Sequence, residues 1–192
     1  MTNTCTSPAS AYAENTPTVD PWHMQRTLMA ASGQSLPAQP ELNRDVLLYA
    51  ALNMEELSET IFGLVRALDK LEQPMPAIKG IATQLAHAAE GMLQGSGSVR
   101  ELLAQVPADF KAPVSEEDLM EMADGTTDVT VTNSGFALAL GLDGGACYNE
   151  VAGSNLSKIN PDTGVIDKTP DGKWIKGRNY RAPNLRKVVL KD

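Results

Sequence analysis

The chain has 192 residues, 42% of them hydrophobic and only 5% aromatic, which suits one medium-sized domain with tails and a core of aliphatic side chains. Its net charge of -8 is uneven: nine of the 16 basic residues lie from residue 158 onward, so this tail carries +5 and residues 1–157 carry -13. An acidic body argues against a nucleic-acid partner, which needs clustered basic side chains, and no apolar run approaches the roughly 20 residues that span a bilayer. We therefore expect neither nucleic acid nor a membrane as a partner.

The N-terminal segment predicts a cytoplasmic protein. Residues 1–16 are polar and rich in Ser and Thr, without the basic segment and apolar stretch of a secretory signal, and we expect them to form a flexible leader. Cys5 and Cys147 are far apart in the chain, which disfavours a structural disulfide. The expected location is the cytoplasm of a bacterium, or of the host cell if the chain is encoded by a phage.

Three helices are predicted in the first half of the chain. Asp20 and a proline suit an N-cap and a first helical position, and the short helix that they begin is expected to end at Gly33. Apolar residues recur every three or four positions from 42 to 68, which predicts a long amphipathic helix. A third helix is predicted for 78–92, ended by a Gly-Ser turn at 95–98, with a further short helix capped by Ser98.

The second half of the chain is less uniform. Ser115, followed by three acidic residues, predicts the start of a helix. The Thr and Val residues of 126–132 favour a strand, whereas the apolar spacing favours a helix that ends at Gly141, and the residues alone leave both structures open. One more short helix is predicted from Asp143 to about 155, followed by an irregular tail with a small hairpin at 171–172.

Two groups of acidic residues stand beside apolar stripes. The predicted long helix carries the first group: Glu55, Glu56 and Glu59. The second group, at spacings of three and four, consists of Glu121, Asp124 and Asp128. Residues three and four apart share one face of a helix, so each group crowds like charges together. A solvated acidic face is the ordinary interpretation of one such run.

Two helices of this kind, packed together, would bring four to six carboxylates into one cleft. Such a cluster would stay ionised only if cations occupied it, and hard oxygen ligands select Mg²⁺ or Mn²⁺. Bound divalent ions suit attack on phosphoryl groups by a metal-bound water. The residues alone thus predict a metal-dependent hydrolase of phosphoesters or phosphoanhydrides on a helical scaffold.

The order of the motifs resembles a known family. Residues 55–59, EELSE, followed by 121–124, EMAD, resemble the EExxE and ExxD motifs of the all-α nucleoside triphosphate pyrophosphohydrolases, the MazG-like and phosphoribosyl-ATP pyrophosphohydrolase-like group. Further similar segments are DPWH at 20–23, GFALALGLD at 135–143, EV at 150–151, SNLSK at 154–158 and KGRNY at 176–180. The resemblance covers 20–183, but the segment 66–114 looks longer than the usual connection between the motifs.

This resemblance implies an all-α helical bundle of the MazG-like type, helical over 121–140 and completed by oligomerisation to a homodimer or homotetramer. It implies a Mg²⁺- or Mn²⁺-dependent enzyme that cleaves nucleoside triphosphates to monophosphate and pyrophosphate. Glu55 is then a further ligand or the catalytic base that orients the attacking water. Asp128 is either a metal ligand or a hydrogen-bond acceptor that contacts the ligands. The implied metal ligands are Glu56, Glu59, Glu121 and Asp124.

Substrate contacts are expected from both ends of the chain. Cationic and hydroxyl donors match phosphate oxygens, although a solvated basic tail is the alternative. The candidates for the phosphates are Lys158, Lys176, Arg178 and Tyr180. Asn155 is expected to bond to sugar or phosphate, or to cap a loop. Trp22 and His23 are candidates to contact the base, and Trp22 is equally suited to the core of its short helix.

We therefore expect residues 17–157 to form a catalytic domain with an insertion at about 66–114, and 158–192 to form a basic irregular tail that contributes to the site. The base of the substrate is left open, and phosphoribosyl-ATP, dUTP and dCTP are alternatives within the class. From a different class, the alternative is a helical interaction module without activity, whose acidic residues form a solvated face.

Overall fold

The computed structural model describes residues 20–34, 36–169 and 174–190. Helix accounts for 65% and strand for 5% of the described structure, so the expected all-α class is confirmed in this coarse form. The chain divides into two compact units, one from Pro37–Leu119 and the other from Met1–Leu36 together with Met120–Asp192. The expected leader at 1–16 lies outside the described residues. Within them, no helix is both long and apolar enough to cross a membrane.

The elements follow one another along the chain with short connections. The helices are α1 (Pro21–Ala31), α2 (Arg44–Asp69), α3 (Pro76–Leu103), α4 (Glu116–Ala139), α5 (Gly144–Leu156) and α6 (Leu185–Leu190). The strands are β1 (Leu42–Asn43) and β2 (Lys111–Ala112), which pair antiparallel in the register Leu42 with Ala112 and Asn43 with Lys111. We refer to the unit from Pro37–Leu119, which contains α2, α3 and both strands, as the hairpin unit.

Small side chains bring α2 and α3 together in the hairpin unit. The residues of α3 that are buried recur every seven positions: Ala82, Ala89, Ser96 and Leu103. On α2 the buried residues are Ala51 and Ser58, again seven apart. A strict seven-residue spacing keeps one seam of each helix facing its partner, as in left-handed coiled coils. Because most of the seam is Ala and Ser, the backbones of α2 and α3 can approach closely.

The predicted turn at 95–98 and the short helix after it are wrong, since α3 continues unbroken to Leu103. The Gly-Ser run weakens a helix by its intrinsic propensity, but packing decides at this place. Ser96 is 2% exposed, and a Cβ on Gly95 would collide with the terminal methyl of Met54. Ser96 therefore belongs to the buried face of α3, and Gly95 lies against the side chain of Met54 on α2.

Helix α4 settles the segment that the sequence left open between helix and strand. Ser115 caps it, since its hydroxyl accepts a hydrogen bond from the backbone N–H of Asp118 at 3.0 Å. The hydroxyls of Thr127 and Thr130 each donate to the carbonyl four residues earlier, at 2.8 and 3.0 Å. Such bonds let β-branched hydroxyl residues join a helix in spite of their strand propensity. The expectation of helix over 121–140 is confirmed to 139, and Gly141 follows it with a φ of 74°.

The second unit is built around α1 and α5. The predicted first helix is confirmed, with the Asp20 carboxylate accepting from the N–H of Trp22 at 3.0 Å. The Tyr148 hydroxyl on α5 donates to the carbonyl of Pro21 at 3.1 Å. Beyond α5, Ile166 is buried and its N–H donates to the carbonyl of Ala31 at 2.8 Å. These bonds tie the segment after α5 to α1.

The tail after residue 157 is more regular than expected. It contains α6, which the sequence pattern did not indicate, and short antiparallel bridges join Ile159 to Ile166 and Lys168 to Trp174. The second bridge flanks the predicted hairpin turn, whose residues 171 and 172 lie outside the described part of the chain. Contacts with α1 and α5, which local propensity does not report, hold this segment: the Lys168 ammonium donates to the carbonyl of Ser32 after α1, and α6 lies next to α5.

Candidate functional site

The first acidic group lies in the middle of α2, and we call Glu55, Glu56 and Glu59 the α2 acidic cluster. Ser58 lies in the same turn of α2 and is fully buried within the hairpin unit. Its hydroxyl donates to the carbonyl of Glu55 at 2.7 Å. Glu56 and Glu59 are exposed, while Glu55 is partly buried. The cluster therefore stands at the edge of the α2–α3 contact, where its side chains reach solvent.

Arg100 of α3 supplies a positive charge to this cluster. Its guanidinium forms an ion pair with the carboxylate of Glu55, and the two side chains are 43% and 29% exposed. Burial raises the pKa of the Glu56 carboxyl, the negative charges of Glu59 and Glu55 raise it further, and Arg100 lowers it less than these raise it. The α2 acidic cluster is thus more negative than one arginine compensates, and an additional cation would stabilise its ionised form.

The second acidic group lies along α4, in the other compact unit. Glu121, Asp124 and Asp128 are all exposed, and the first two line a shallow concave surface together with Met120, Ala123 and Thr127. The structure describes α4 throughout, and none of its residues is buried. Among them, Met120, Val131 and Leu138 are 57%, 62% and 70% exposed. The carboxylates of α4 therefore stand beside uncovered apolar side chains, which a packing partner would bury.

The donor chemistry of both groups suits Mg²⁺ or Mn²⁺, because all six candidates are carboxylates. In the part of the chain that the structure describes, however, no three His, Cys, Asp or Glu side chains are placed to hold one metal ion. Each acidic group alone is thus an incomplete set of ligands, and the predicted metal ligands stay a prediction.

The candidate phosphate ligands lie at the end of α5 and in the tail behind it. The Lys158 ammonium donates to the side-chain oxygen of Asn155 at 2.8 Å and lies 5.4 Å from the centre of the Trp174 ring. The Lys176 ammonium lies 4.9 Å from the centre of the Tyr180 ring. Cations at these distances interact with the aromatic faces, a contact worth about 0.5–1 kcal/mol at an exposed site.

Arg178 has a different environment from the two lysines. Its guanidinium donates to the carboxylate of Asp162 at 2.7 Å, and both side chains are about two-thirds exposed, at 66% and 64%. An exposed pair of this kind contributes about 0–1 kcal/mol to stability, so it leaves the arginine free to exchange partners. An anionic substrate would compete with Asp162 for this guanidinium.

Two residues that sequence reasoning missed hold the tail against α5. Glu150 accepts from the guanidinium of Arg181 and from the N–H of Asn184, both at 2.8 Å, and these bonds lower the pKa of its carboxyl. The Ser154 hydroxyl donates to the carbonyl of Arg181 at 2.8 Å, and a side chain in place of the hydrogen of Gly153 would collide with the Arg181 guanidinium. Both residues lie in segments that carry the resemblance, EV at 150–151 and SNLSK at 154–158, but nothing in the sequence indicates their contacts with the tail.

The candidate base contacts, Trp22 and His23, are on the first turn of α1 and both exposed. Trp22 is 70% exposed, so the alternative that it fills the core of its short helix is wrong. The buried residues of α1 are Met24 and Leu28 instead. A large exposed aromatic side chain is available for a base or for another protein surface.

Comparison of the chain with protein-family models, with curated proteins and with solved structures found no match in any of the three.

Proposed function

We propose that the protein is a Mg²⁺- or Mn²⁺-dependent nucleoside triphosphate pyrophosphohydrolase that releases a nucleoside monophosphate and pyrophosphate. The observation that carries this proposal is the α2 acidic cluster, where three carboxylates share one stretch of helix with a single arginine and where the pKa of Glu56 is raised. The like charges of this cluster repel one another and a bound cation would relieve that repulsion, and phosphate transfer is the chemistry that Mg²⁺ with carboxylate ligands commonly serves.

In this proposal the α2 acidic cluster contributes Glu56 and Glu59 as metal ligands. The other ligands, Glu121 and Asp124 with Asp128 near them, come from α4 in the assembled protein, a homodimer or homotetramer. Bound divalent ions would supply a hydroxide-like water and neutralise charge on the departing pyrophosphate. The exposed apolar side chains of α4 support this arrangement, because they are uncovered in one chain and an assembly would bury them.

The remaining candidates bind the substrate. The triphosphate is proposed to bind the ammonium groups of Lys158 and Lys176, each of which lies beside an aromatic ring. Arg178 would be a third cation that exchanges Asp162 for the substrate, and Tyr180 would donate its hydroxyl. Trp22 and His23 are proposed to contact the base, and Asn155 to orient Lys158, to which it bonds. In this arrangement the basic tail binds the triphosphate, an anion that the acidic body alone would repel.

Pyrophosphate release tests this function directly. The purified protein is incubated with ribo- and deoxynucleoside triphosphates and with phosphoribosyl-ATP, in the presence of Mg²⁺ or Mn²⁺. Glu59→Gln and Asp124→Asn are expected to lower the rate by about a hundredfold or more, as loss of a ligand to a catalytic metal does. The control is Glu90→Gln, the same change at an exposed glutamate of α3. No release from any substrate, or undiminished release by both ligand variants, would exclude the proposal.

A helical interaction module without activity is the second candidate, and the exposed apolar side chains of α4 favour it. It predicts that Mn²⁺ leaves the melting temperature unchanged, since a solvated acidic face does not bind the ion tightly. The enzyme predicts a rise of about 2.7 kcal/mol in the free energy of unfolding when Mn²⁺ is present at a hundred times its Kd.

A further inference from the structure

The last part of the tail, residues 174–190, is held against its unit by polar contacts, and we call it the strap. The structure describes the strap throughout, and none of its residues is buried. The earlier part of the tail differs, since Ile166 is 4% exposed and its N–H donates to the carbonyl of Ala31. A segment that buries no side chain opens at a lower free energy than the core, so the strap can detach while the rest of the unit stays folded.

One face of α5 receives Arg181 of the strap. This face consists of residues three and four positions apart, which share one side of a helix: Glu150, Gly153, Ser154 and Ser157. The Ser154 hydroxyl donates to the carbonyl of Arg181 at 2.8 Å, and the Ser157 hydroxyl accepts from its N–H at 2.9 Å. The guanidinium lies over Gly153, where a Cβ would collide with it, and donates to the Glu150 carboxylate at 2.8 Å. Both the backbone and the side chain of one arginine are thus bound, and we call this set of contacts the latch.

The latch affects where the cations of the strap lie. Lys176 and Arg178 precede Arg181 by five and three residues, and both are assigned to the triphosphate in the proposed function. Gly177, between these two cations, lies next to the carbonyl of Lys158, the candidate cation at the end of α5. Release of Arg181 would let the strap move away from α5, and its two cations would then no longer be held near Lys158.

We propose that the strap opens and closes on α5 as one segment, that Arg181 is its positioning residue, and that a polyphosphate bound by Lys158 together with Lys176 and Arg178 holds it closed. This inference rests on the triphosphate contacts of the proposed function and adds their regulation. Because such an anion binds only the closed strap, its binding must lower the population of the open strap.

Hydrogen exchange of backbone amides, followed by NMR without any ligand, tests the latch. Gly153→Ala displaces the guanidinium and changes no charge, and Arg181→Gln removes the guanidinium. Both should speed exchange at positions 181 and 184 about two- to fivefold, the value of an exposed ion pair. Gly91→Ala on α3 is the matched control, since a Cβ there meets open space, and it should leave both rates unchanged. Alanine is the better helix former at both glycines, so faster exchange in Gly153→Ala would not come from a general loss of stability. Unchanged exchange in both latch variants would overturn the inference.

Tripolyphosphate tests the coupling between anion and strap. At about ten times its Kd, measured by calorimetry, it should slow exchange at positions 181 and 184 about tenfold. The amide of Ile166, outside the strap, is the internal control and should keep its rate. Lys158→Gln should remove most of the protection at the same concentration, because the anion then no longer joins α5 to the strap.

The direction of the change distinguishes the outcomes. Faster exchange with tripolyphosphate would mean that the anion takes an arginine from its carboxylate and opens the strap, which would overturn the coupling. Calorimetric binding with unchanged exchange would overturn it as well. If the folded, unmodified protein does not bind tripolyphosphate, the assigned role of the tail fails and this inference with it. Binding and protection without pyrophosphate release from any nucleotide would instead support the strap and refute the proposed hydrolase.

Discussion

Replacement of Ala89 by leucine tests the packing that positions the α2 acidic cluster. Ala89 is 0% exposed in the seam between α2 and α3, so the three added carbon atoms have no room unless the helices separate. Overpacking of this kind costs about 1–3 kcal/mol, and the close backbones of a small-residue seam place Ala89→Leu at the upper end. A loss of about 2–3 kcal/mol corresponds to a fall of roughly 5–10 °C in the melting temperature for a chain of this length.

The matched control is Ala88→Leu, the same substitution one residue earlier. Ala88 is exposed, and alanine and leucine are both strong helix formers, so its free energy of unfolding should change by less than about 0.5 kcal/mol. Urea unfolding followed by circular dichroism measures both variants. Equal stability of the two would refute the small-residue seam, because a loosely packed hairpin accepts leucine at either position.

Three other predictions concern single side chains: Glu56, Glu150 and Lys158. The pKa of Glu56 is raised in the folded state, so ionisation of its carboxyl opposes folding. Glu56→Gln should therefore raise the metal-free melting temperature at pH 7, and this gain should shrink as the pH falls through the range where the carboxyl protonates. Glu90→Gln is the control. The pKa of Glu150 is lowered in the folded state, so its ionised carboxylate stabilises the fold at neutral pH and this stabilisation is lost on acidification. Glu150→Gln should speed hydrogen exchange at the Asn184 amide already at pH 7. Exchange as slow as in the unmodified protein would contradict the role of Glu150 in anchoring the tail. Lys158→Ala should raise the KM for nucleotide about tenfold or more, and an unchanged KM in steady-state kinetics would remove this lysine from the site.

The helices were predictable where one local signal dominated. Asp20 and Ser115 are side-chain caps at the predicted starts, and the apolar spacing from 42 to 68 coincides with most of α2. The Thr-rich part of α4 was predictable only through the motif resemblance, since its threonine hydroxyls satisfy carbonyls of the helix instead of forming a strand. Local propensity does not contain that choice.

The prediction failed at 95–98, where glycine and serine have a tertiary role. Ser96 belongs to the buried seam of α3, and no local rule distinguishes such a residue from one that ends a helix. The same error hid Arg100, which would have belonged to a separate short helix. Its contact with Glu55 spans 45 positions in sequence and becomes visible only once α3 is continuous.

The candidate site was predictable in residue type and only partly in arrangement. Sequence reasoning identified carboxylates on two helices and cations in the tail, and both acidic groups do lie on helices. It did not identify the partners that distinguish these side chains, such as Trp174 beside Lys158 or Asp162 bound to Arg178. Those partners come from the folded tail, whose order depends on contacts with α1 and α5.

Phosphorus NMR of a single nucleotide reaction tests the central claim most directly, because it identifies the bond that is cleaved. With Mg²⁺ and the best substrate of the panel, the account predicts conversion of the triphosphate to nucleoside monophosphate and pyrophosphate in equal amounts, and no conversion by Glu59→Gln. Formation of nucleoside diphosphate and orthophosphate, or equal conversion by the variant, would contradict it.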